Sequence, residues 1–173
     1  MNTTRSDAPA GPVEQSTVVP RLPRPLALAL RIAPQAPPRQ GLVFCLNRLF
    51  QSALRGGELD WLQGKVASLD FEDAGARLSL TLGPGRRLTV CSDRAVPDLV
   101  VEGTLFDFLG LAARREDSDT LFFHRRLHLK GDVELGLYLK NFLDGLEPDP
   151  AQQRVLAGLQ RLYGLIARVN GHR

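Results

Sequence analysis

The histidines and acidic residues of this chain are the side chains that could bind a metal ion or act in catalysis. His124 and His128 are four residues apart, and Glu116, Asp117 and Asp119 lie just before them. His128 falls on a stretch that alternates like a β-strand, where four residues span about 13 Å. Two imidazoles at that separation cannot bind one ion unless the chain turns between them, so we expect both histidines to face solvent.

The acidic cluster and the two cysteines also lack the spacing of a known site. The cluster does not follow the Asp-x-Asp-x-Asp-Gly pattern of a calcium loop, so helix capping and solvation explain it better.

Cys45 and Cys91 are too few for a four-thiolate metal site or an iron–sulfur cluster. Both lie in apolar stretches, which predicts buried thiols in a reducing compartment, with a disulfide as the alternative.

The motifs of common enzyme classes are absent from the sequence. It contains no GxSxG nucleophile elbow, no P-loop, no GxGxxG and no HExxH. The remaining acidic residues are scattered, and nothing indicates a pair of catalytic carboxylates. We therefore expect no catalytic residue, no metal and no cofactor.

Positive charge is concentrated in the first third of the chain. The net charge is +3, but no acidic residue occurs between Glu14 and Glu58, and that segment carries Arg21, Arg24, Arg31, Arg39, Arg48 and Arg55. This predicts an anionic partner such as a membrane surface or a lipid headgroup, with a solvated basic face as the alternative. Nucleic acid is disfavoured, because the segment lacks the interleaved aromatic side chains that stack on bases.

The chain divides into a tail, a docking segment and one domain. Residues 1–20 are rich in Ser, Thr, Pro and Ala, which predicts a disordered tail. Residues 21–36 hold a short apolar run between prolines and arginines, which must dock on its own domain, on a second subunit or on a membrane. Residues 37–173 are predicted to form one domain. The sequence shows no signal pattern and no apolar run of about 20 residues, which favours a cytoplasmic protein that can touch a membrane.

Apolar spacing in the domain predicts an α+β fold. Residues 39–54 have the periodicity of a helix, and Thr104 is placed to cap a short helix that ends near Ala112. Residues 66–71, 76–82, 87–91 and 98–103 read as four short strands, the first three joined by turns. Residues 114–120 are predicted to be a charged loop, and Asp149 and Pro150 to begin the last helix.

Residues 121–146 combine the fifth strand with the helix that follows it. Leu127 and Leu129 alternate with Arg126, His128 and Lys130, which predicts a strand with one buried face. Gly131 then turns the chain and Asp132 caps a helix with an apolar stripe at Leu135, Leu139, Phe142 and Leu146. The predicted architecture is a five-stranded, mostly antiparallel sheet with helices packed on one face.

This order of elements resembles the sterol carrier protein 2-like lipid-binding domain over residues 40–146. Residues 114–147 carry a more specific resemblance, to bacterial ubiquinone biosynthesis accessory factors of the UbiT type. The matching pieces are residues 119–123 (DTLFF), 125–127 (RRL), 131–132 (GD), 134–137 (ELGL) and 140–141 (KN).

The resemblance implies a non-enzymatic factor that holds polyprenylated ubiquinone precursors for oxygen-independent ubiquinone biosynthesis. It further implies iron–sulfur partner proteins of the peptidase U32 family and a place in the cytoplasm, peripheral at the inner membrane. One alternative is a general phospholipid or fatty-acid carrier or a membrane-docking scaffold. Another is a small enzyme acting on the quinone ring through His124 or Asp119. A homodimer remains open.

A lipid carrier of this fold needs an apolar cavity between the sheet and the helices. We predict that its wall is formed by Leu105, Phe108, Leu109, Leu127, Leu129, Leu135, Leu139 and Phe142. Gly103, Gly110 and Gly136 lie beside apolar positions and would let a helix stand off from the sheet. Glycine inside a helix destabilises it by about 1 kcal/mol relative to alanine. We therefore expect that packing against a neighbouring element explains the glycine at position 136, Gly136. Simple close approach of helix to sheet is the alternative.

Overall fold

The computed structural model describes residues 36–92, 94–146 and 153–171. Three sequence predictions therefore lie outside the described residues. These are the disordered tail, the docking segment with Arg21, Arg24 and Arg31, and the start of the last helix at Asp149 and Pro150.

One five-stranded sheet has the strand order β3-β2-β1-β4-β5. Its strands are β1 (Ala67–Phe71), β2 (Ala76–Gly83), β3 (Arg87–Val90), β4 (Leu99–Gly103) and β5 (Leu127–Gly131). Neighbours are antiparallel except for β1 and β4, which run parallel. The predicted mostly antiparallel α+β sheet is confirmed, and the four strands predicted before residue 104 agree with the structure to within one residue at each end.

The sheet has one apolar and one polar face, because side chains alternate along each strand. Leu69 is in register with Leu78 on one side and with Val101 on the other, and these side chains point towards the helices. On the opposite face Asp70 accepts a hydrogen bond from Nε of Arg77 at 2.8 Å. The core therefore lies on one side of the sheet, with an ion-paired surface on the other.

The described helices cover the apolar face. They are α1 (Ala36–Leu49), α2 (Gln51–Gly56), α3 (Leu105–Ala112), α4 (Ser118–Phe123), α5 (Val133–Gly145) and α6 (Gln153–Gly171), with a 3₁₀ turn at Asp60–Leu62. Two predicted caps are confirmed. The hydroxyl of Thr104 accepts from the amide of Asp107 at 3.1 Å, and Asp132 accepts from the amide of Glu134 at 2.9 Å.

Two helix predictions are wrong in detail. Residues 39–54 do not form one helix, since the backbone of Phe50 departs from helical angles and separates α1 from α2. The predicted charged loop at residues 114–120 contains the start of α4, where the carboxylate of Asp117 accepts from the amide of Thr120 at 3.2 Å. The acidic and hydroxyl residues that cap helices are also typical of loops, so composition alone favoured a loop.

The prediction of two buried thiols is also wrong. Both cysteines are free, Cys45 is exposed on α1, and Cys91 is half-buried just after β3. Partial burial raises the pKa of the Cys91 thiol. Cys45 follows Phe44, whose side chain is 72% exposed, so both residues lie on the side of α1 that faces away from the core.

Gly136 lies where α5 packs against the sheet. An alanine Cβ at this position would be 3.5 Å from Leu129 and 3.9 Å from Leu99, which is ordinary van der Waals contact. The close approach of helix to sheet is therefore present, but an alanine would fit. Gly131 is different, because its φ of 101° suits glycine and a Cβ would collide with the carbonyl oxygen of Asp98.

Candidate functional site

An apolar cavity of about 640 Å³ lies between the sheet and the helices. The sheet contributes the side chains of its apolar face, among them Leu69, Leu80 and Val101. Helices α1, α3, α5 and α6 contribute the opposite side. This volume lies within the range of about 300–1,000 Å³ that is usual for small-molecule sites.

Six of the eight residues predicted to line a cavity lie at its wall: Leu105, Phe108, Leu109, Leu127, Leu139 and Phe142. Leu129 and Leu135 do not belong to the lining. Leu129 packs against Gly136 of α5, and the neighbouring Leu135 is buried with 5% exposure. Neither side chain borders the cavity, whose lining on α5 begins at Leu139. Contact of any of these side chains with a lipid stays a prediction.

Several lining residues were not assigned to the site from the sequence. They are Leu42, Leu46 and Phe50 of the first helical region, Trp61 of the 3₁₀ turn, and Leu156 and Leu159 of α6. Helical spacing identifies most of them as members of apolar faces. It does not say which apolar face closes over a gap and which fills one, so no signal in the sequence separates them from ordinary core.

One end of the cavity lies at the 3₁₀ turn. Ala67 of β1 is in register with Leu99 of β4, and Leu99 with Gly131 of β5. Just beyond this row, Gln63 forms a bridge with Leu82, which places Trp61 near the same end of the sheet. The surrounding lining is aliphatic and aromatic.

The other end of the cavity is bordered by charged residues. Phe71, Gly103 and Leu127 are in register at that end of the sheet. Residues 114–118 (RREDS) line the cavity there, since Arg126, just before β5, pairs with Glu116 at 3.3 Å. The cavity therefore runs along the strands from an apolar end to a charged end.

A buried ion pair anchors α3 to β5 at the charged end. Asp107 is completely buried and accepts hydrogen bonds from Nε of Arg126 at 2.7 Å and from the hydroxyl of Thr104 at 2.5 Å. Burial opposes the charge of Arg126, but the charge and hydrogen bonds of Asp107, with help from Glu116, raise the pKa of this guanidinium.

The same network fixes α6 over the cavity. The hydroxyl of Tyr163 donates to Glu116 at 3.0 Å, and its ring stacks on Phe106 with centroids 4.5 Å apart. Burial and this hydrogen bond raise the pKa of Tyr163. Gln160 also donates to the carbonyl of Ala113 at 3.2 Å. These contacts hold α6, whose Leu156 and Leu159 line the cavity, against α3 and the segment that follows it.

The residues that a small enzyme would use lie away from the cavity. His124 is exposed, with Nδ1 2.9 Å from the carbonyl oxygen of Thr120, and His128 is exposed on β5. Asp119 pairs with Lys140 at 2.5 Å on the surface. Within residues 36–92, 94–146 and 153–171, no group of three or more His, Cys, Asp or Glu side chains could hold a metal ion. In the part of the chain that the structure describes, none of the helices combines the length and the hydropathy of a membrane span.

Comparison with known proteins identifies relatives. The model of the SCP-2 sterol transfer family matches residues 46–144. The chain is 38% identical over 133 residues to the ubiquinone biosynthesis accessory factor UbiT of Escherichia coli (strain K12), covering 77% of this chain and 75% of that protein. The UbiT protein of Escherichia coli O157:H7 matches to the same extent.

Two solved structures match this chain at low sequence identity. A UbiJ-SCP2 ubiquinone synthesis protein gives a TM-score of 0.49 at 20% identity, over 61% of this chain and 92% of that one. Sterol carrier protein 2 like 2 from Aedes aegypti gives a TM-score of 0.44 at 16% identity, over 60% and 96% of the two chains.

Proposed function

Because this chain belongs to the SCP-2 sterol transfer family, we propose that it is a non-enzymatic lipid-binding accessory factor of ubiquinone biosynthesis. Its ligand is a polyprenylated ubiquinone precursor held in the cavity between the sheet and the helices. The relatives named as ubiquinone biosynthesis accessory factors support the pathway. The cavity is the observation that carries the proposal.

The apolar lining suits a prenyl chain for a simple energetic reason. Burying roughly 300 Å² of isoprenoid surface is worth about 7 kcal/mol before the costs of ordering and association. The cavity offers leucine and phenylalanine side chains from both layers to receive that surface. A protein that holds such a chain out of water would make it available to enzymes in solution.

The proposal includes the oxygen-independent branch of the pathway and iron–sulfur partner proteins of the peptidase U32 family. Both rest on the resemblance of residues 114–147 and not on the geometry of the cavity. The chain itself is proposed to have no catalytic activity. Turnover of a precursor by the isolated protein, lost in His124→Ala, would favour the enzyme alternative instead.

The first prediction is that gently purified full-length protein carries a prenylated phenol or quinone. Extraction into organic solvent and mass spectrometry should recover it at close to one molecule per chain. Leu46→Trp, which fills the cavity, should lose the lipid. Leu165→Trp should retain it, because Leu165 is 60% exposed and outside the lining.

Two other results of the extraction would change the conclusion. A phospholipid or fatty acid in place of the prenylated compound would favour a general carrier. Repeated preparations without any lipid, from cells that make ubiquinone, would contradict the proposal.

The basic segment at residues 21–55 is proposed to face an anionic membrane. Its described part supports this, because Phe44 is 72% exposed and Arg48, one helical turn later, is exposed on the same side of α1. An apolar side chain beside a cation suits the interface of an acidic bilayer. The alternative is that this basic face meets the partner proteins.

The second prediction concerns replacement of Arg21, Arg24 and Arg31 together by glutamine. Each cation near an acidic surface is worth about 1 kcal/mol, so the triple variant should bind phosphatidylglycerol-containing vesicles about 100-fold more weakly in sedimentation assays. Salt should weaken the binding of the parent protein. Arg77→Gln, on the polar sheet face, is the control. Equal binding to neutral vesicles, or none to either, would contradict the membrane proposal.

A further inference from the structure

Helix α6 presents arginine and leucine side chains on one side. Arg154, Arg161 and Arg168 follow one another at intervals of two helical turns, so they lie along a single stripe, and all three are exposed. Leu162 directly follows Arg161, and Leu165 lies one turn beyond it. These leucines are 46% and 60% exposed. Together these side chains form a surface that we call the outer face of α6.

The positive charge of this outer face is not balanced nearby. The sequence of α6 contains no acidic residue, and none follows Asp149 in the chain. Among the residues that the structure describes, none forms an ion pair with Arg154, Arg161 or Arg168. The arginines of the polar sheet face and of the charged end of the cavity do pair with carboxylates. Charge complementarity therefore indicates an anionic partner for the outer face.

The opposite side of α6 belongs to the cavity. Leu156 and Leu159 line it, and Ile166 is buried with 8% exposure. The hydroxyl of Tyr163 donates to Glu116 at 3.0 Å and holds this side of the helix against the segment after α3. A helix with its side chains is only about 10 Å thick. A partner bound to the outer face would therefore lie one helix away from the cavity.

The mixture of side chains on the outer face selects the kind of anionic partner. Guanidinium groups bind phosphate oxygens, and leucine side chains enter the boundary between lipid headgroups and acyl chains. An acidic bilayer satisfies both kinds of side chain at once. A nucleic acid would pair with the arginines but leave the two leucines in water.

We propose that the outer face of α6 docks on an anionic lipid bilayer. The three guanidinium groups lie at lipid phosphates and the two leucines at the boundary of the acyl chains. This surface is distinct from the basic segment at residues 21–55, and it places the cavity wall formed by Leu156 and Leu159 next to the membrane. Uptake of a prenylated lipid from that membrane rests on the proposed function, whereas the docking does not.

The first test replaces Arg154, Arg161 and Arg168 together by glutamine in the full-length protein. Sedimentation with phosphatidylglycerol-containing vesicles should show about 100-fold weaker binding, the effect expected of three cations at an acidic surface. The matched control removes the same charge from exposed positions elsewhere on the surface. Its binding should stay within about threefold of the parent protein, because charges far from the bilayer are screened. The control substitutions are Arg87→Gln, Arg94→Gln and Arg125→Gln.

The second test locates the contact within the protein. Leu165→Trp places an indole on the outer face, and vesicles whose acyl chains carry bromine should quench its fluorescence. Val96→Trp is the control, since Val96 is 85% exposed in the loop between β3 and β4. Trp61 contributes the same background emission to both variants. The bromolipid should leave the emission of Val96→Trp unchanged.

Three results would overturn the docking of α6. They are unchanged vesicle binding by the α6 variant, an equal loss of binding in the control variant, and equal quenching of Leu165→Trp and Val96→Trp. If the α6 variant binds vesicles normally but loses a co-purifying protein, the outer face belongs to a protein partner instead. Each of these results leaves the proposed function intact, because extraction of the cavity lipid tests that separately.

Discussion

Arg126→Ala should lower the free energy of unfolding by about 3–5 kcal/mol, because it leaves the buried carboxylate of Asp107 without its cation. Asp107 is completely buried, and Nε of Arg126 donates to it at 2.7 Å. Without the guanidinium, the carboxylate keeps only the Thr104 hydroxyl and loses its cation. Urea unfolding of the purified variant and parent measures the loss.

Arg77→Ala is the matched control for this loss. Arg77 also pairs with an aspartate, Asp70, but its side chain is 55% exposed on the polar sheet face. An exposed pair of this kind contributes about 0–1 kcal/mol. Asp107→Asn should recover part of the stability in the Arg126→Ala background, since it removes the uncompensated charge. Equal losses in Arg126→Ala and Arg77→Ala would contradict the structural role of the buried pair.

Phe142→Ala should also lower the free energy of unfolding by about 3–5 kcal/mol, because removing a large side chain from the core loses buried contacts and leaves a cavity. Phe142 is 7% exposed and meets the ring of Phe50 edge to face, with centroids 5.2 Å apart. It lines the cavity as well, so lipid binding should weaken in the same variant. Two measurements separate these effects: chemical unfolding of the lipid-free variant gives its stability, and lipid binding by the folded variant gives its affinity.

Leu139→Ala is the comparison, one helical turn earlier on α5. Leu139 lines the cavity but is only half-buried, so fewer contacts are lost and the cost should stay below about 2 kcal/mol. Its main effect should be on lipid affinity. If both variants lose core-sized stability and still bind lipid normally, these side chains are core, and the ligand site lies elsewhere.

The strands could be predicted because their signals are local. Alternation of Leu78, Leu80 and Leu82 with polar residues sets the face of β2, and Gly-containing turns on either side set its length. The parallel pairing of β1 with β4 could not be predicted in this way. Alternation determines which side chains are buried, but it does not determine which strand lies next to which.

The apolar helix faces could be predicted, but the shape of the cavity could not. Leu135, Leu139 and Phe142 belong to one stripe of α5, yet only the last two line the cavity. Leu135 lies beside Gly136, where α5 packs against Leu129 and Leu99 of the sheet, and the lining of the cavity begins only at Leu139. The angle between a helix and a sheet depends on packing across the whole layer, which residue spacing does not encode.

The buried pair of Asp107 and Arg126 was likewise not evident from the sequence. The two residues are nineteen positions apart, and Arg126 reads as one of several polar residues that alternate with leucines. Only the tertiary arrangement brings its guanidinium to a buried carboxylate on α3. Charge pairs between distant segments leave no local pattern.

Photolabelling with a prenylated quinone that carries a diazirine on its tail tests the central claim most directly. After irradiation of the delipidated full-length protein, digestion and mass spectrometry locate the attached tail. The cavity proposal predicts labels on α3 near Phe108 and on α5 near Leu139, abolished by excess unlabelled quinone. Labels confined to exposed apolar residues such as Phe44 and Leu165 would contradict a lipid in the cavity.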